Sequence, residues 1–212
     1  MKLILIGAPA AGKGTQAKRL IKHYNIAHIS TGDILRDHID KGTELGEKIK
    51  SVMACGGLVS DDIIMELVKS RISEDDCKNG YIFDGFPRTV AQAEMLYDII
   101  GNIDRVIYIN TPDEYTIERL AARETCPKCG STYNKLSIPS KVKGVCDVCN
   151  EKLIQRKDDT VEAGKIRLKT FHEQSEPLVD YYKKKNLLFE VNGLLDIDEV
   201  TKVIISELGE KA

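Results

Sequence analysis

Short apolar runs alternate along this chain with longer segments in which apolar residues recur every three or four positions. Because the runs are brief and uninterrupted by polar residues, they predict buried strands. In the segment 13–24, by contrast, Ala17, Leu20, Ile21 and Tyr24 fall on one face of a helix. Alternation of the two patterns predicts the α/β class, with a parallel sheet covered by helices on both faces. The predicted strands cover residues 2–6, 26–29, 80–84, 104–110 and 187–191.

Residues favoured at helix ends predict where several helices begin or break. The segment Thr111–Glu114 offers a capping threonine, a proline for the first helical position and a glutamate to complete a capping box. Asp196 and Glu199 have the same spacing and predict the start of the last helix. A helical pattern over 161–184 contains Pro177, so we expect this helix to bend or to be interrupted there.

The composition narrows the classes of function. The 212 residues include 31 basic and 33 acidic side chains, and this balance provides no overall field to attract nucleic acid or an anionic membrane. The length suits one globular domain with small insertions. No apolar run approaches the about 18 residues of a membrane span, so we expect a cytoplasmic protein with reduced thiols. Of the six cysteines, Cys55 and Cys77 stand alone and are expected to be small apolar residues.

The other four cysteines lie in a segment, 124–157, that breaks the alternation of strands and helices and is predicted to be an insertion. Cys126 and Cys129 form one C-x₂-C pair, and Cys146 and Cys149 form another after sixteen intervening residues. This spacing is typical of a four-thiolate zinc ribbon, whose metal is structural because it has no open coordination position. Two disulfides are the alternative, which a reducing compartment disfavours.

The segment Gly7–Thr15, GAPAAGKGT, lies between the first predicted strand and the first predicted helix. Its small residues allow successive backbone N–H groups to converge on an anion at a helix N-terminus, and Lys13 can reach the outer phosphates. Ala10 is less suited than glycine to positive φ, which costs about 1 kcal/mol or more. A glycine-rich turn with an incidental lysine is the alternative. The pattern predicts a nucleoside triphosphate site without separating a kinase from a GTPase or a motor.

A second group of polar residues follows the predicted strand over 80–84. Asp84 ends this strand, where a carboxylate can act on Mg²⁺ through water, although a turn residue is the alternative. Arg88 lies in a Gly-x-Pro-Arg turn at the carboxyl edge of the sheet, where open α/β sheets bind ligands. Gln92 is either a ligand-binding residue or the capping-box partner of Thr89.

Four stretches together resemble the adenylate kinase family in its long-lid form: GAPAAGKGTQ, ISTGDILR, DGFPRT and QRKDD. The resemblance implies the P-loop nucleoside-monophosphate-kinase fold, a five-stranded parallel sheet flanked by helices with an AMP-binding insertion and a zinc-ribbon-like lid. It also implies reversible phosphoryl transfer from MgATP to AMP, giving two ADP, in adenine nucleotide homeostasis and salvage. The implied division is a core at 1–29, 60–121 and 160–212, an AMP-binding insertion at 30–59 and a lid at 122–159.

Matching positions extend the resemblance to individual residues. Those implied to bind ATP are Ala10, Ala11, Gly12, Lys13, Gly14, Thr15, Arg119, Arg123, Thr132, Tyr133 and Leu195. Those implied to bind AMP are Thr31, Arg36, Gly57, Leu58, Val59, Gly85, Phe86, Pro87, Arg88, Gln92, Arg156 and Arg167. Those implied to be catalytic are Lys13, Asp84, Arg88, Arg123, Arg156 and Arg167.

Some positions depart from the family pattern or remain open. Ala10 replaces the usual glycine, and Gly57 stands where a longer side chain is common. Asp158 and Asp159 are expected to bond the lid backbone, with a solvated acidic pair as the alternative. The four histidines are scattered and are expected to be structural.

The implied chemistry requires in-line placement of two nucleotides and neutralisation of their charge, without a protein nucleophile. Arginine suits this task because its planar fork binds phosphate oxygens bidentately. The expected cofactors are Mg²⁺ with ATP and a structural Zn²⁺ in the lid. The expected partners are ATP, AMP and ADP, for a monomer that binds neither nucleic acid nor membrane. The alternatives are a kinase for UMP or CMP and a nucleic-acid-binding ATPase that uses a zinc ribbon.

Overall fold

Five parallel strands form the central sheet of the computed structural model, which describes residues 1–156 and 158–210. The strands in the described residues are β1 (Lys2–Ile6), β2 (Ala27–Ser30), β3 (Tyr81–Asp84), β4 (Arg105–Asn110), β5 (Arg123–Thr125), β6 (Thr132–Asn134) and β7 (Leu188–Asn192). The sheet has the order β2-β3-β1-β4-β7, and β5 and β6 form a separate antiparallel pair. The predicted fold class and the five predicted sheet strands are confirmed, with ends shifted by one residue where they differ.

Helices connect the strands and cover the sheet. Those in the described residues are α1 (Lys13–Tyr24), α2 (Thr31–Asp40), α3 (Glu44–Ala54), α4 (Asp61–Ile72), α5 (Val90–Ile100), α6 (Asp113–Ala121), α7 (Val161–Thr170), α8 (Pro177–Lys184) and α9 (Ile197–Leu208). Each of α1 and α9 buries one apolar stripe, which includes Leu20 in the first and Ile204 in the second. None of the helices within residues 1–156 and 158–210 is long and apolar enough to cross a membrane.

The main core lies around the sheet because both of its faces are covered. Leu3, Ile4, Ile82 and Phe83 on the central strands are fully buried. Burial of such side chains contributes about 1.5–3 kcal/mol each relative to leaving them exposed. Parallel pairing also brings the carboxyl ends of all five strands to the same edge of the sheet. The loops that leave this edge can therefore meet although they are far apart in sequence.

The start of α6 differs from its prediction. The helix begins at Asp113, Pro112 occupies the capping position, and no side chain caps the first turn. The Thr111 hydroxyl is buried and has no hydrogen-bond partner in the described residues. It faces Gly193 across the strand edge instead of turning back onto its own helix. The predicted capping box at Thr111 is therefore wrong, whereas the predicted box of Asp196 at the start of α9 is confirmed.

The helical pattern over 161–184 is interrupted, as predicted, but the break comes before the proline. Residues Phe171–Ser175 form a π-helical turn, in which the Glu176 N–H donates to the Phe171 carbonyl at 2.8 Å. Pro177 is then the first residue of α8. A proline has no N–H and its ring excludes a regular turn before it, so the irregularity lies on its N-terminal side.

The predicted lid, residues 122–159, has its own small core. It contains Cys126, Tyr133, Cys146 and Leu153, which form a cluster separate from the main core. So few apolar residues stabilise a segment of this size poorly, and further cross-links are expected. Lys157 of the predicted lid, and positions 211 and 212 of the predicted core, lie outside the described residues.

A glycine allows the ends of β4 and β7 to approach each other closely. A Cβ added at Gly193 would lie 2.0 Å from the Thr111 hydroxyl oxygen and 2.9 Å from an Ile109 methyl carbon. We expect Gly193→Ala to lower the free energy of unfolding by about 1–3 kcal/mol through overpacking. Denaturant unfolding of Gly193→Ala, alone and with Thr111→Ala, measures this loss and its coupling. The loss should shrink in the double variant, and an equal loss in both backgrounds would contradict the steric account.

Candidate active site

The glycine-rich loop lies between β1 and α1 in a conformation that bulky residues avoid. Gly12 has φ 106° and Ala10 has φ 60°, so alanine occupies the left-handed region that glycine adopts freely. The Ala11 N–H donates to the Ala8 carbonyl at 3.1 Å, which closes a tight turn. The structure thus places Ala10 in the conformation for which alanine is less suited than glycine. This geometry leaves the start of α1 open toward the sheet edge, where backbone N–H groups can bind an anion.

The Lys13 ammonium lies over this loop. Its Nζ donates to the carbonyl oxygens of Gly7 at 2.7 Å and Ala8 at 2.8 Å. Burial above all, together with the charges of neighbouring arginines, lowers the pKa of Lys13 to about 8, although the Asp84 carboxylate acts in the opposite direction. The charge is therefore held close to the phosphate loop. Contact of Lys13 with a transferred group stays a prediction.

Asp84, at the end of β3, has a histidine neighbour that sequence reasoning missed. The imidazole Nε2 of His28 lies 3.4 Å from Asp84 Oδ2. Burial by itself would raise the pKa of Asp84, but interaction with His28 and the charge of Lys13 outweigh it and keep the pKa below its usual value. His28 pairs with Ile82 in the parallel register, two positions before Asp84, so both side chains share one face of the sheet. The contact could have been found from the sequence only by pairing β2 with β3 in the correct register.

Arginines from distant parts of the chain line one large cavity of about 690 Å³. They are Arg19, Arg36, Arg88, Arg119, Arg123, Arg156 and Arg167. Burial above all, together with the charges of neighbouring guanidinium groups, lowers the pKa values of Arg88 and Arg156 to about 10 each. Because these buried cations destabilise one another's charged form, an anion with several charges that bound among them would be strongly favoured.

Two aspartates hold part of this cluster. Arg123 Nε donates to Asp159 Oδ2 at 2.7 Å, and its second nitrogen binds the other oxygen of the same carboxylate. Arg167 donates to Asp158 Oδ2 at 2.9 Å. Asp159 is fully buried. Among the described residues, these carboxylates bind arginine side chains instead of the lid backbone, and they are not a solvated pair, so neither expectation holds there.

The residues predicted to bind ATP all line the large cavity. They are Ala10, Ala11, Gly12, Lys13, Gly14, Thr15, Arg119, Arg123, Thr132, Tyr133 and Leu195. Arg119 also donates two hydrogen bonds, both 3.2 Å, to the Gly193 carbonyl. It therefore supports the loop that carries Leu195 as well as lining the cavity.

A smaller cavity of about 50 Å³ adjoins the large one. Its lining includes Thr31, Arg36, Gly57, Leu58, Val59, Gly85, Phe86, Arg88, Gln92 and Arg167. The remaining residues predicted to bind AMP, Pro87 and Arg156, line the large cavity. Arg36, Arg88 and Arg167 line both cavities, so these guanidinium groups stand where the two spaces join.

Gln92 forms only half of the predicted capping box, and its role as a ligand-binding residue stays a prediction. The Thr89 hydroxyl caps α5 by accepting from the Gln92 N–H at 3.1 Å. The Gln92 amide oxygen accepts from the Arg88 N–H at 2.7 Å, whereas a capping box would require the Thr89 N–H, and its amide nitrogen donates to Asp61 at 2.7 Å. Gln92 is 2 % exposed and borders the smaller cavity. It orients the turn that carries Arg88.

Contacts with α1 and α2 hold the predicted lid over the large cavity. Lys18 Nζ on α1 donates to the Gly130 carbonyl at 2.7 Å. Arg156 lies 3.7 Å from the Asp33 carboxylate on α2. The lid therefore covers the large cavity in this structure, and it brings Arg123 and Arg156 to the cavity wall.

The four paired cysteines form a compact cluster. All four Sγ atoms lie within 4.8 Å of one another, and all four thiols are free. A tetrahedral zinc with Zn–S bonds of about 2.3 Å places its sulfurs about 3.8 Å apart, so the cluster fits Zn²⁺. Gly130 and Asn150, at the turns after the two pairs, have φ 66° and 59°. Because none of these four cysteines forms a disulfide, the structure does not support the alternative of two disulfides.

The two remaining cysteines differ from each other. Cys77 is buried, as expected, and its sulfur accepts from Arg71 at 3.0 Å. Cys55 is exposed, so it does not pack in a core as a small apolar residue would. It directly follows α3, at the point where the chain leaves the helix.

Comparisons with known proteins agree on one family. The family model described as Adenylate kinase matches residues 5–187. A protein of Caldicellulosiruptor bescii named adenylate kinase is 49% identical over 213 residues and covers 99% of both chains. Others of the same name come from Finegoldia magna, 47% identical over 98% of this chain and 99% of the relative, and from Thermosipho africanus, 46% identical over 97% and 98%. The chain therefore belongs to the adenylate kinase family.

Proposed function

We propose that this adenylate kinase transfers a phosphoryl group reversibly from MgATP, bound in the large cavity, to AMP, bound in the smaller one, and gives two ADP. The observation that carries this assignment is the junction of the two cavities, which Arg36, Arg88 and Arg167 line from both sides. Two nucleotides that meet there place donor and acceptor phosphates end to end. The names of the relatives favour AMP as acceptor over UMP or CMP, and favour a kinase over a nucleic-acid-binding ATPase.

The arginines and Lys13 supply the charge that this reaction needs. Phosphoryl transfer spreads negative charge over the equatorial oxygens of the moving group, and the protein acts mainly by positioning and electrostatics. Guanidinium groups already buried and close to one another require little reorganisation when that charge develops. Asp159, which binds Arg123, and Gln92, which orients the Arg88 turn, hold two of these donors in place. We assign the catalytic role to Lys13, Arg88, Arg123, Arg156 and Arg167.

Asp84 suits the expected Mg²⁺. Its carboxylate is kept ionised by His28 and Lys13, and its Oδ2 lies 3.3 Å from where a Cβ on Gly14 would stand, next to the phosphate loop. A hard cation prefers such oxygen donors and retains water ligands, so Asp84 would hold it through water. Magnesium supplies neutralisation of the ATP phosphates when bound.

The predicted insertions control access to the site. We propose that residues 30–59 bind AMP and that residues 122–159 close over ATP, because Lys18 and Asp33 contact the lid where it covers the cavity. Closure excludes water, which competes with AMP as acceptor. We further propose a cytoplasmic monomer that maintains adenine nucleotide pools, with the zinc serving the lid's structure.

A panel of nucleoside monophosphates tests the acceptor. With MgATP as donor, we expect AMP to give rapid ADP formation, and we expect UMP and CMP to react at least about a hundredfold more slowly in kcat/KM. A site whose buried polar groups hydrogen-bond one base rejects other bases because those groups are then left unpaired. A coupled assay of ADP measures this directly. Turnover of UMP equal to that of AMP would refute the assignment.

Substitution of Arg88 tests the charge at the junction. We expect Arg88→Ala to lower kcat by about a thousandfold or more, because an arginine on the transferring group contributes on that scale. Thermal unfolding should change little. Arg105→Ala is the control, since Arg105 pairs with Glu207 away from the cavities. An Arg88→Ala enzyme within tenfold of the parent would contradict the proposed role.

Metal removal tests the structural zinc. Freshly purified protein should contain one zinc per chain, and chelation should increase hydrogen exchange in residues 122–156 while the sheet strands stay protected. Cys146→Ser should reproduce this effect, and Cys55→Ser, which alters an exposed cysteine outside the cluster, should not. Unchanged exchange of the lid after complete metal removal would count against a structural metal.

A further inference from the structure

One phenol side chain lies inside the lid against the cysteine cluster. Tyr133 is 7% exposed and packs with Cys126, Cys146 and Leu153. Its hydroxyl oxygen accepts from the Asp147 N–H at 2.8 Å and lies 3.5 Å from Cys146 Sγ. The family resemblance implied only that Tyr133 binds ATP, so its contact with the cysteine cluster is a feature of the tertiary structure.

The direction of this hydrogen bond follows from the donors available. The tyrosine oxygen already accepts from the Asp147 N–H, and the hydroxyl has a single hydrogen to donate. A cysteine bound to a metal is a thiolate, which can only accept. The Tyr133 O–H therefore donates to the Cys146 sulfur whenever the cluster holds its metal.

The same residue also belongs to the wall of the large cavity. Tyr133 is the middle residue of β6, pairs with Glu124 on β5, and lines the large cavity. The next residue, Asn134, donates from its side chain to the Arg119 carbonyl at 2.8 Å. A shift of β6 would therefore move the cavity wall and would also displace the helix that carries Arg119.

We propose that Tyr133 is a positioning residue that couples the metal centre to the ATP cavity, its hydroxyl donating to the Cys146 thiolate while its strand forms the cavity wall. Four thiolates around Zn²⁺ leave a net negative charge, which a hydrogen bond to sulfur reduces. Loss of such an outer partner typically weakens metal binding by about 10–100-fold. The coupling to ATP rests on the proposed function, whereas the contact with the metal centre does not.

Tyr133→Phe removes the hydroxyl and keeps the ring. With no nucleotide present, we expect zinc to transfer to a chromogenic chelator about tenfold faster than from the parent. In the cobalt-substituted protein, the sulfur-to-cobalt charge-transfer band should move to longer wavelength, because the thiolate loses a hydrogen bond. Tyr115→Phe is the matched control, since Tyr115 lies on α6 and is 43% exposed. A release rate and a band both equal to those of the control would overturn the proposal.

A second substitution strengthens the bond instead of deleting it. Site-specific 3-fluorotyrosine at position 133 has a more acidic hydroxyl, so the cobalt band should move to shorter wavelength. This arm keeps the side chain's shape and does not depend on the fold of Tyr133→Phe. An unchanged band would overturn the proposal even if the phenylalanine variant had lost its metal through misfolding.

The steady-state kinetics of Tyr133→Phe test the coupling. We expect the KM for ATP to rise by about threefold or more, with the KM for AMP and kcat within twofold, because a conformational coupling of modest size acts on one ligand. Faster metal release with an unchanged KM for ATP would overturn the coupling. If the parent formed no ADP from ATP and AMP, the proposed function would fail while the two metal measurements still decided the contact with Cys146.

Discussion

Mutual repulsion among guanidinium groups is the constraint around which this structure is arranged. Arg88, Arg156 and Arg167 are largely withdrawn from water, which lowers their pKa values, and the nearby charge of Arg36 also lowers the pKa of each. Such a group destabilises the protein unless anions surround it. Carboxylates of Asp158 and Asp159 compensate part of this charge. The remainder makes the cleft a strong binding site for phosphates.

The parallel sheet makes this concentration of charge possible. Residues of the cleft come from the loop after β1, the turn after β3, the helix after β4 and the lid, which are far apart along the chain. Parallel strands send all of these connections out from one edge, so a short chain can surround a ligand from several sides. The close approach of Thr111 and Gly193 shows how tightly two neighbouring strand ends are packed there. The rigid sheet thus holds the arginines of the site together although their positive charges repel one another.

The lid achieves order by a different physical route. Its apolar cluster is small, and a metal bound by four cysteines would supply the cross-links that burial cannot. Tyr133 belongs to that cluster and to the cavity wall at once. Rigidity created at such a metal would therefore reach the cavity wall through one short strand. A segment cross-linked in this way would move as a unit, which suits the exclusion of water from a phosphoryl-transfer site.

The sequence by itself determined the features that depend on neighbours along the chain. The sheet strands, the cap of α9 and the two cysteine pairs all follow from local periodicity, capping chemistry and ligand spacing. Only the tertiary structure decided the pairing of His28 with Asp84, of Asp159 with Arg123, and the placement of Thr111 against Gly193. In each of these pairs the partners are at least 36 positions apart. A polar side chain can interact with a local cap, with solvent or with a distant charge. Which of these it contacts depends on the partners that the folded sheet brings within reach.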